Sequence, residues 1–116
     1  MQFKLLLALV DDRKVDTVLK AAREAGATGA TVITSVRGEG LTPRKTFLGL
    51  DLAGQRDIVL LLVEEHLSRT ILERMAEAGQ FETEPGSGVV FQLAIEDVVG
   101  LSSQIRELSK RVAEQL

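Results

Sequence analysis

The sequence predicts an α+β domain of βαββαβ order, an antiparallel sheet with two helices on one face, on three observations. Two short apolar runs, residues 4–10 and 57–63, read as strands. Each meets an acidic pair, Asp11 with Asp12 and Glu64 with Glu65, and then a helical pattern. The two patterns keep register: Thr17 and Thr70, Val18 and Ile71, Leu19 and Leu72, Glu24 and Glu77, Ala25 and Ala78, and Gly26 and Gly79 each lie 53 residues apart. A strand–helix–strand unit is therefore duplicated, over residues 3–36 and 57–95 of a single domain, 1–116. Two such units make the ferredoxin-like arrangement.

The elements follow in order. After the first strand, Val15, Val18, Leu19 and Ala22 recur at helical spacing and make one apolar face. An aspartate ahead of that face can cap free amides and suits the positive end of the helix dipole. Gly26 is placed to end the helix, since glycine takes the left-handed conformation at little cost. Residues 31–36, TVITSV, are rich in β-branched side chains and read as the second strand. The second unit repeats the scheme and closes on a strand over 89–95. From 96 to 115, Val98, Leu101, Ile105, Leu108 and Val112 alternate at three- and four-residue steps and predict a C-terminal amphipathic helix.

The strands carry a prediction about assembly. A sheet with one open face should alternate apolar and polar residues, whereas LLLALV and DIVLLLV do not. Both faces are then expected to be covered. The chain has too little left over to do this alone, so a homo-oligomer packed through its sheets is expected; the alternative is that the C-terminal helix covers the second face.

Composition excludes several functions. A formal net charge of −3 and 3% aromatic residues argue against a nucleic-acid partner. There is no cysteine, hence no disulfide, thiolate metal site or cysteine nucleophile. The apolar run near the start covers only residues 5–10 and ends on two aspartates, unlike an export signal. No run approaches the roughly 20 apolar residues that span a bilayer, which predicts no membrane insertion and a soluble, cytoplasmic protein.

Between the halves lies a long connection, residues 37–56, RGEGLTPRKTFLGLDLAGQR. Most connections in compact domains run about 4–6 residues, and longer ones are commonly binding loops. It carries Arg37, Arg44, Lys45 and Arg56 beside apolar Phe47, Leu48, Leu50 and Leu52, and KTFLGLDL has the pattern of a small hairpin. We read it as a loop that faces a partner or a ligand rather than an inert insertion, with Phe47 either its apolar anchor or folded back on its own assembly. Two glycine clusters flank the strands: Gly38 and Gly40 open the loop, and Gly86, Ser87 and Gly88 precede the last strand. Such turns can point successive amides at one anion, although turns before strands use glycine in any case. Catalysis has no carrier. His66 is the only histidine and reads as a helix-start residue, the acidic pairs occupy equivalent helix starts, and no zinc or P-loop pattern occurs.

These residues resemble the PII-type nitrogen-regulatory signalling proteins over nearly the whole chain. The likeness rests on the duplicated order, on TVITSVRGEG leading into the central loop, and above all on PGSGVVFQLAIEDVV. It implies a homotrimer with adenine nucleotide (ATP, ADP or AMP) bound between subunits, often with 2-oxoglutarate, and no required cofactor. It also implies that the effector-type loop docks on a membrane transporter or a metabolic enzyme. By the same resemblance, Arg37, Gly38, Gly40, Arg56, Gly86, Ser87 and Gly88 are the candidate ligand-binding residues, and Arg44, Lys45, Phe47 and Leu48 the partner-binding ones.

The departures concern charge. The basic residue usual after the glycine turn is Val89, the two arginines usual after the closing motif are Gly100 and Ser102, and the arginine and glutamine usual beyond the loop-opening glycines are Leu41 and Thr42. Four phosphate-facing cations are thus absent, and each charge-assisted hydrogen bond is worth about 1.5–3 kcal/mol. The missing glutamine undermines the usual magnesium–2-oxoglutarate site, and without tyrosine the family's uridylylation cannot occur. The expectation is a divergent PII-like regulator with an altered ligand site. The alternatives are a structural or adaptor trimer with a vestigial pocket and a metal-tolerance-type trimer.

Overall fold

The computed structural model describes residues 2–36, 46–47, 50–51, 55–101, 106, 109–110 and 113–114. Its elements are β1 (Phe3–Asp11), a 3-10 turn (Asp12–Lys14), α1 (Val15–Glu24), β2 (Thr31–Val36), β3 (Thr46–Phe47), β4 (Leu50–Asp51), β5 (Arg56–Glu64), α2 (Glu65–Gly79) and β6 (Gly88–Ala94). Four strands form one antiparallel sheet in the order β2-β5-β1-β6. This is the ferredoxin-like sheet predicted by the duplication. β3 and β4 are an addition within the long connection, pairing Thr46 with Asp51 and Phe47 with Leu50, where KTFLGLDL predicts a hairpin.

The strands alternate in burial although their sequence does not alternate in polarity. Leu6, Ala8 and Val10 of β1 and Val59, Leu61 and Val63 of β5 are buried in one core with Val18 and Ala22 of α1 and Ile71 and Met75 of α2. Burying each such aliphatic side chain contributes about 1.5–3 kcal/mol, which is what holds both helices on this face. The other face is apolar and, among the described residues, carries no second layer. Leu5, Leu7, Leu9, Ile58, Leu60 and Leu62 are half-buried there, and Ile33, Phe91 and Leu93 are exposed. Among the described residues one chain supplies no second layer for this face, as the expectation of coverage from outside the single chain requires.

Strand ends shift by a residue, and three differences from the sequence reading matter most. β5 begins at Arg56, so that residue leaves the loop and enters the sheet, opposite Asp11. The ladder hydrogen bonds available beside Asp11 favour one more strand residue over one more loop residue. Residues 96–101 are not helical; Gly100 sits at φ 104°, left-handed, and interrupts the predicted helix, leaving Val99 almost fully exposed. Helical backbone is recorded at 106, 109–110 and 113–114. Ile105, Leu108 and Val112 of the expected apolar seam lie outside the described residues. Finally, the left-handed residue after α2 is Gln80 (φ 57°), one position beyond the repeat's counterpart of Gly26 (φ 117°).

Register places the two acid-capped strand ends at opposite ends of the sheet: Asp11 pairs with Arg56 at one, Phe3 with Glu64 at the other. The long connection joins the sheet at the Asp11 end. Its two roots are held by buried carboxylates there, Asp57 accepting from the Ser35 amide at 3.2 Å across a bulge where Ser35 adopts φ 58°, and Asp11 facing Arg56.

Candidate functional site

The glycine turn before β6 is built by one aromatic ring. Phe81 follows α2 and lies against both Gly79 and Gly88, so that a Cβ at Gly79 would meet its ring at 2.3 Å and a Cβ at Gly88 at 2.4 Å. A side chain at Gly88 would also meet the Leu9 carbonyl at 2.7 Å. Gly86 takes a left-handed φ of 79°. Ser87 is buried; its hydroxyl donates to the Gln80 carbonyl at 2.9 Å and its amide to Glu84 at 3.2 Å. The Ser87 hydroxyl and amide are thus met within the turn. Lys14 crosses from the first half, donating to the Gly79 carbonyl at 3.1 Å and to Gln80 Oε1 at 3.0 Å and pairing with Glu84.

Asp11 connects this turn to the root of the long connection. Its amide donates to the Ser87 carbonyl at 3.0 Å, while its carboxylate caps the 3-10 turn by accepting from the Arg13 amide at 3.0 Å. The Arg13 guanidinium grips the same carboxylate through Nε at 3.1 Å and Nη2 at 2.6 Å. From the sheet side, Arg56 Nη1 lies 3.7 Å from Asp11 Oδ2, and the Asp12 amide reaches the Gln55 carbonyl at 3.3 Å. Hydrogen bonding by Arg13, and then the charge of both guanidiniums, holds the Asp11 carboxyl far below the ordinary carboxylate range against the opposing effect of burial.

The duplication repeats the cap at the far end of the sheet. Glu64 accepts from the His66 amide at 2.7 Å, and its other oxygen lies 2.7 Å from His66 Nδ1. Hydrogen bonding and charge from Glu64 raise the His66 pKa, with Glu65 adding a smaller effect in the same direction. Ligand atoms of Glu64, Glu65 and His66 lie within 4.8 Å of one another. Both oxygens of buried Glu64 already serve His66, so the group is a helix cap like that of Asp11 and Arg13.

Of the candidates named from sequence, Gly86, Ser87, Gly88 and Arg56 meet around Asp11, with Arg56 buried in the sheet. Arg37, Gly38, Gly40, Arg44, Lys45 and Leu48 lie outside the described residues, as do Leu41, Thr42 and Ser102; of Phe47 the backbone pairing is described. Sequence reasoning missed Asp11, Arg13, Lys14 and Glu84 as members of the cluster. The repeat pointed to the first two, since Arg13 and His66 stand at equivalent positions after equivalent acids. Two grooves, of about 380 Å³ between α1 and α2 and about 320 Å³ between α1 and the segment that follows it, are lined by none of the candidates. Among the described residues, no helix is long and apolar enough to cross a membrane.

Solved structures with this fold include a PII-like signalling protein of Thermus thermophilus (20% identity, TM-score 0.62, 84% of this chain and 91% of that one covered). They also include CPII of Thiomonas intermedia, bound to ADP, AMP and acetate (18%, 0.60, 83% and 90%). The same CPII, a nitrogen regulatory PII-like protein, bound to ADP, AMP and bicarbonate gives 22% identity, a TM-score of 0.59 and coverage of 82% and 87%. No curated protein matches the sequence. The family model described as nitrogen regulatory protein P-II matches residues 3–104. With that span, the duplicated sheet and the glycine turn in place, the chain belongs to the P-II family.

Proposed function

We propose that the chain is a PII-type signal-transduction protein, a regulator and not an enzyme, that senses an adenine nucleotide at the end of the sheet marked by Asp11. The observation that carries this reading is that one residue, Asp11, touches both the glycine turn, through Ser87, and the root of the long connection, through Arg56. A ligand at the turn thereby has a short physical route to the loop. CPII, solved with ADP and AMP, supports the choice of ligand class. The missing cations favour a nucleotide with fewer phosphates over ATP. In this reading the protein is cytoplasmic and homotrimeric, its apolar sheet faces turned inward. The segment 37–55 docks on a transporter or metabolic enzyme through Phe47 and Leu48, flanked by Arg44 and Lys45.

The test is a thermal-shift panel of ATP, ADP, AMP, 2-oxoglutarate and bicarbonate, singly and paired, with light scattering of the free protein. A ligand at about 100 times its Kd adds roughly 2.7 kcal/mol of apparent stability. A shift with ADP or AMP and a mass of three chains are expected; a monomer at micromolar concentration contradicts the trimer. A second reading, an adaptor trimer with a vestigial pocket, is favoured by the internal use of the Ser87 hydroxyl and Lys14. Unchanged stability across the whole panel selects it.

A further inference from the structure

The cations around Asp11 are unequally served. The Arg56 side chain is 7% exposed; Nη1 donates to the neighbouring Gln55 carbonyl at 3.1 Å, and Nε is enclosed without a hydrogen-bond partner among the described residues. Asp11 stands opposite in the ladder, yet its carboxylate is 3.7 Å from Nη1, beyond hydrogen-bond reach. The fork of Arg13 fixes how that carboxylate is turned. Arg13 occupies both of its oxygens, although its own side chain is 81% exposed and water could solvate it. The cation that most needs the carboxylate is therefore the one held off it, because a buried donor has no water to replace a lost partner.

One carboxylate between two guanidiniums has two low-energy arrangements. In the first, seen here, Arg13 holds Asp11 and Arg56 is under-satisfied. In the second, Arg13 swings out and Asp11 closes on Arg56. We propose that Arg13, Asp11 and Arg56 form a two-position ionic relay, in which the phosphate or carboxylate of an effector draws Arg13 outward and leaves Asp11 to Arg56. The planar fork of Arg13 suits either oxyanion, and its exposure leaves it free to move. The response reaches the main chain directly. Arg56 Nη1 and the Asp12 amide share the Gln55 carbonyl as acceptor, so closing Asp11 on Arg56 fixes the residue that leads into β5. Lys14 is already committed to Gly79, Gln80 and Glu84, which leaves Arg13 as the mobile cation of the 3-10 turn. The relay rests on the proposed effector site for what drives it, but not for its two positions.

The test reads the Arg56 Nη1–Hη resonance by nitrogen-15 NMR. In Arg13→Gln without any ligand, this proton should move downfield and exchange with water at least tenfold more slowly than in the wild type. Arg13→Lys, which cannot fork, should be intermediate, and Asp11→Asn should exchange faster than the wild type. Adding AMP to the wild type should reproduce the Arg13→Gln shift; inorganic phosphate as a second probe separates the phosphate from the nucleoside. An Arg56 signal that is the same in the wild type and in Arg13→Gln overturns the relay, even where calorimetry shows AMP binding. If the signal responds to Arg13→Gln while AMP and ADP neither bind nor shift it, the relay stands and the effector reading fails.

Discussion

The two ends of the sheet carry the same cap with different consequences. At each, a buried acid accepts from the amide two residues on and holds the basic side chain of that residue: Asp11 with Arg13, Glu64 with His66. The difference lies across the ladder. Glu64 faces Phe3, whereas Asp11 faces Arg56, a third charged group buried at the root of the long connection. Duplication supplied the cap twice, and one further residue turns one copy into a junction between loop and glycine turn.

The largest expected effect breaks that junction. Asp11→Ala strands the buried Arg56 without a counter-charge and should cost about 3–5 kcal/mol, read as the shift in urea midpoint. Glu64→Ala loses a cap and an exposed partner, and about 1–2 kcal/mol is expected. Equal losses would mean that Arg56 is no part of the Asp11 cluster. Next comes Gly88→Ala, where the added methyl meets the Phe81 ring and the Leu9 carbonyl; overpacking of this kind costs about 1–3 kcal/mol. Gly100→Ala meets no neighbouring atom within 4 Å and incurs only the strain of a Cβ at its left-handed φ, about 1–2 kcal/mol on local backbone grounds.

The pH dependences of the two ends should have opposite signs. The folded-state pKa of Asp11 is depressed, so its contribution is fully present above an unfolded value of about 3.9 and is lost as pH falls below it. Asp11→Asn should flatten that acid limb of the stability curve. The folded-state pKa of His66 is raised, so its contribution is present below about 6.5 and lost as pH rises through the higher folded value. His66→Gln should remove this neutral-range slope, the smallest of these effects. A slope surviving in His66→Gln would show that another group produces it.

Much of the fold was legible because duplication checks itself. The paired intervals from Thr17 and Thr70 to Gly26 and Gly79 located both helices and their flanking strands without reference to any structure. What escaped was set by contacts between the halves. Arg56 follows a glycine-rich loop in sequence, and its partners in the ladder, Asp11 and Val36, draw it into the sheet. Lys14 looks like a solvated helix-start residue, yet it reaches across to Glu84 in the other half. Continuous apolar strands correctly marked a second apolar sheet face, but no local pattern can say what covers it. Gly100 falls within the span of the predicted seam, between Val98 and Leu101, and its left-handed conformation rules out a helix over 96–101.

The measurement that tests the central claim most directly is calorimetric titration of ADP and AMP into the wild type and into Arg56→Gln, with the mass of each variant monitored by light scattering. The account predicts saturable binding to the wild type and at least tenfold weaker binding to Arg56→Gln at unchanged assembly state. Equal affinity in the two would contradict it, by placing the ligand away from the junction of glycine turn and loop root.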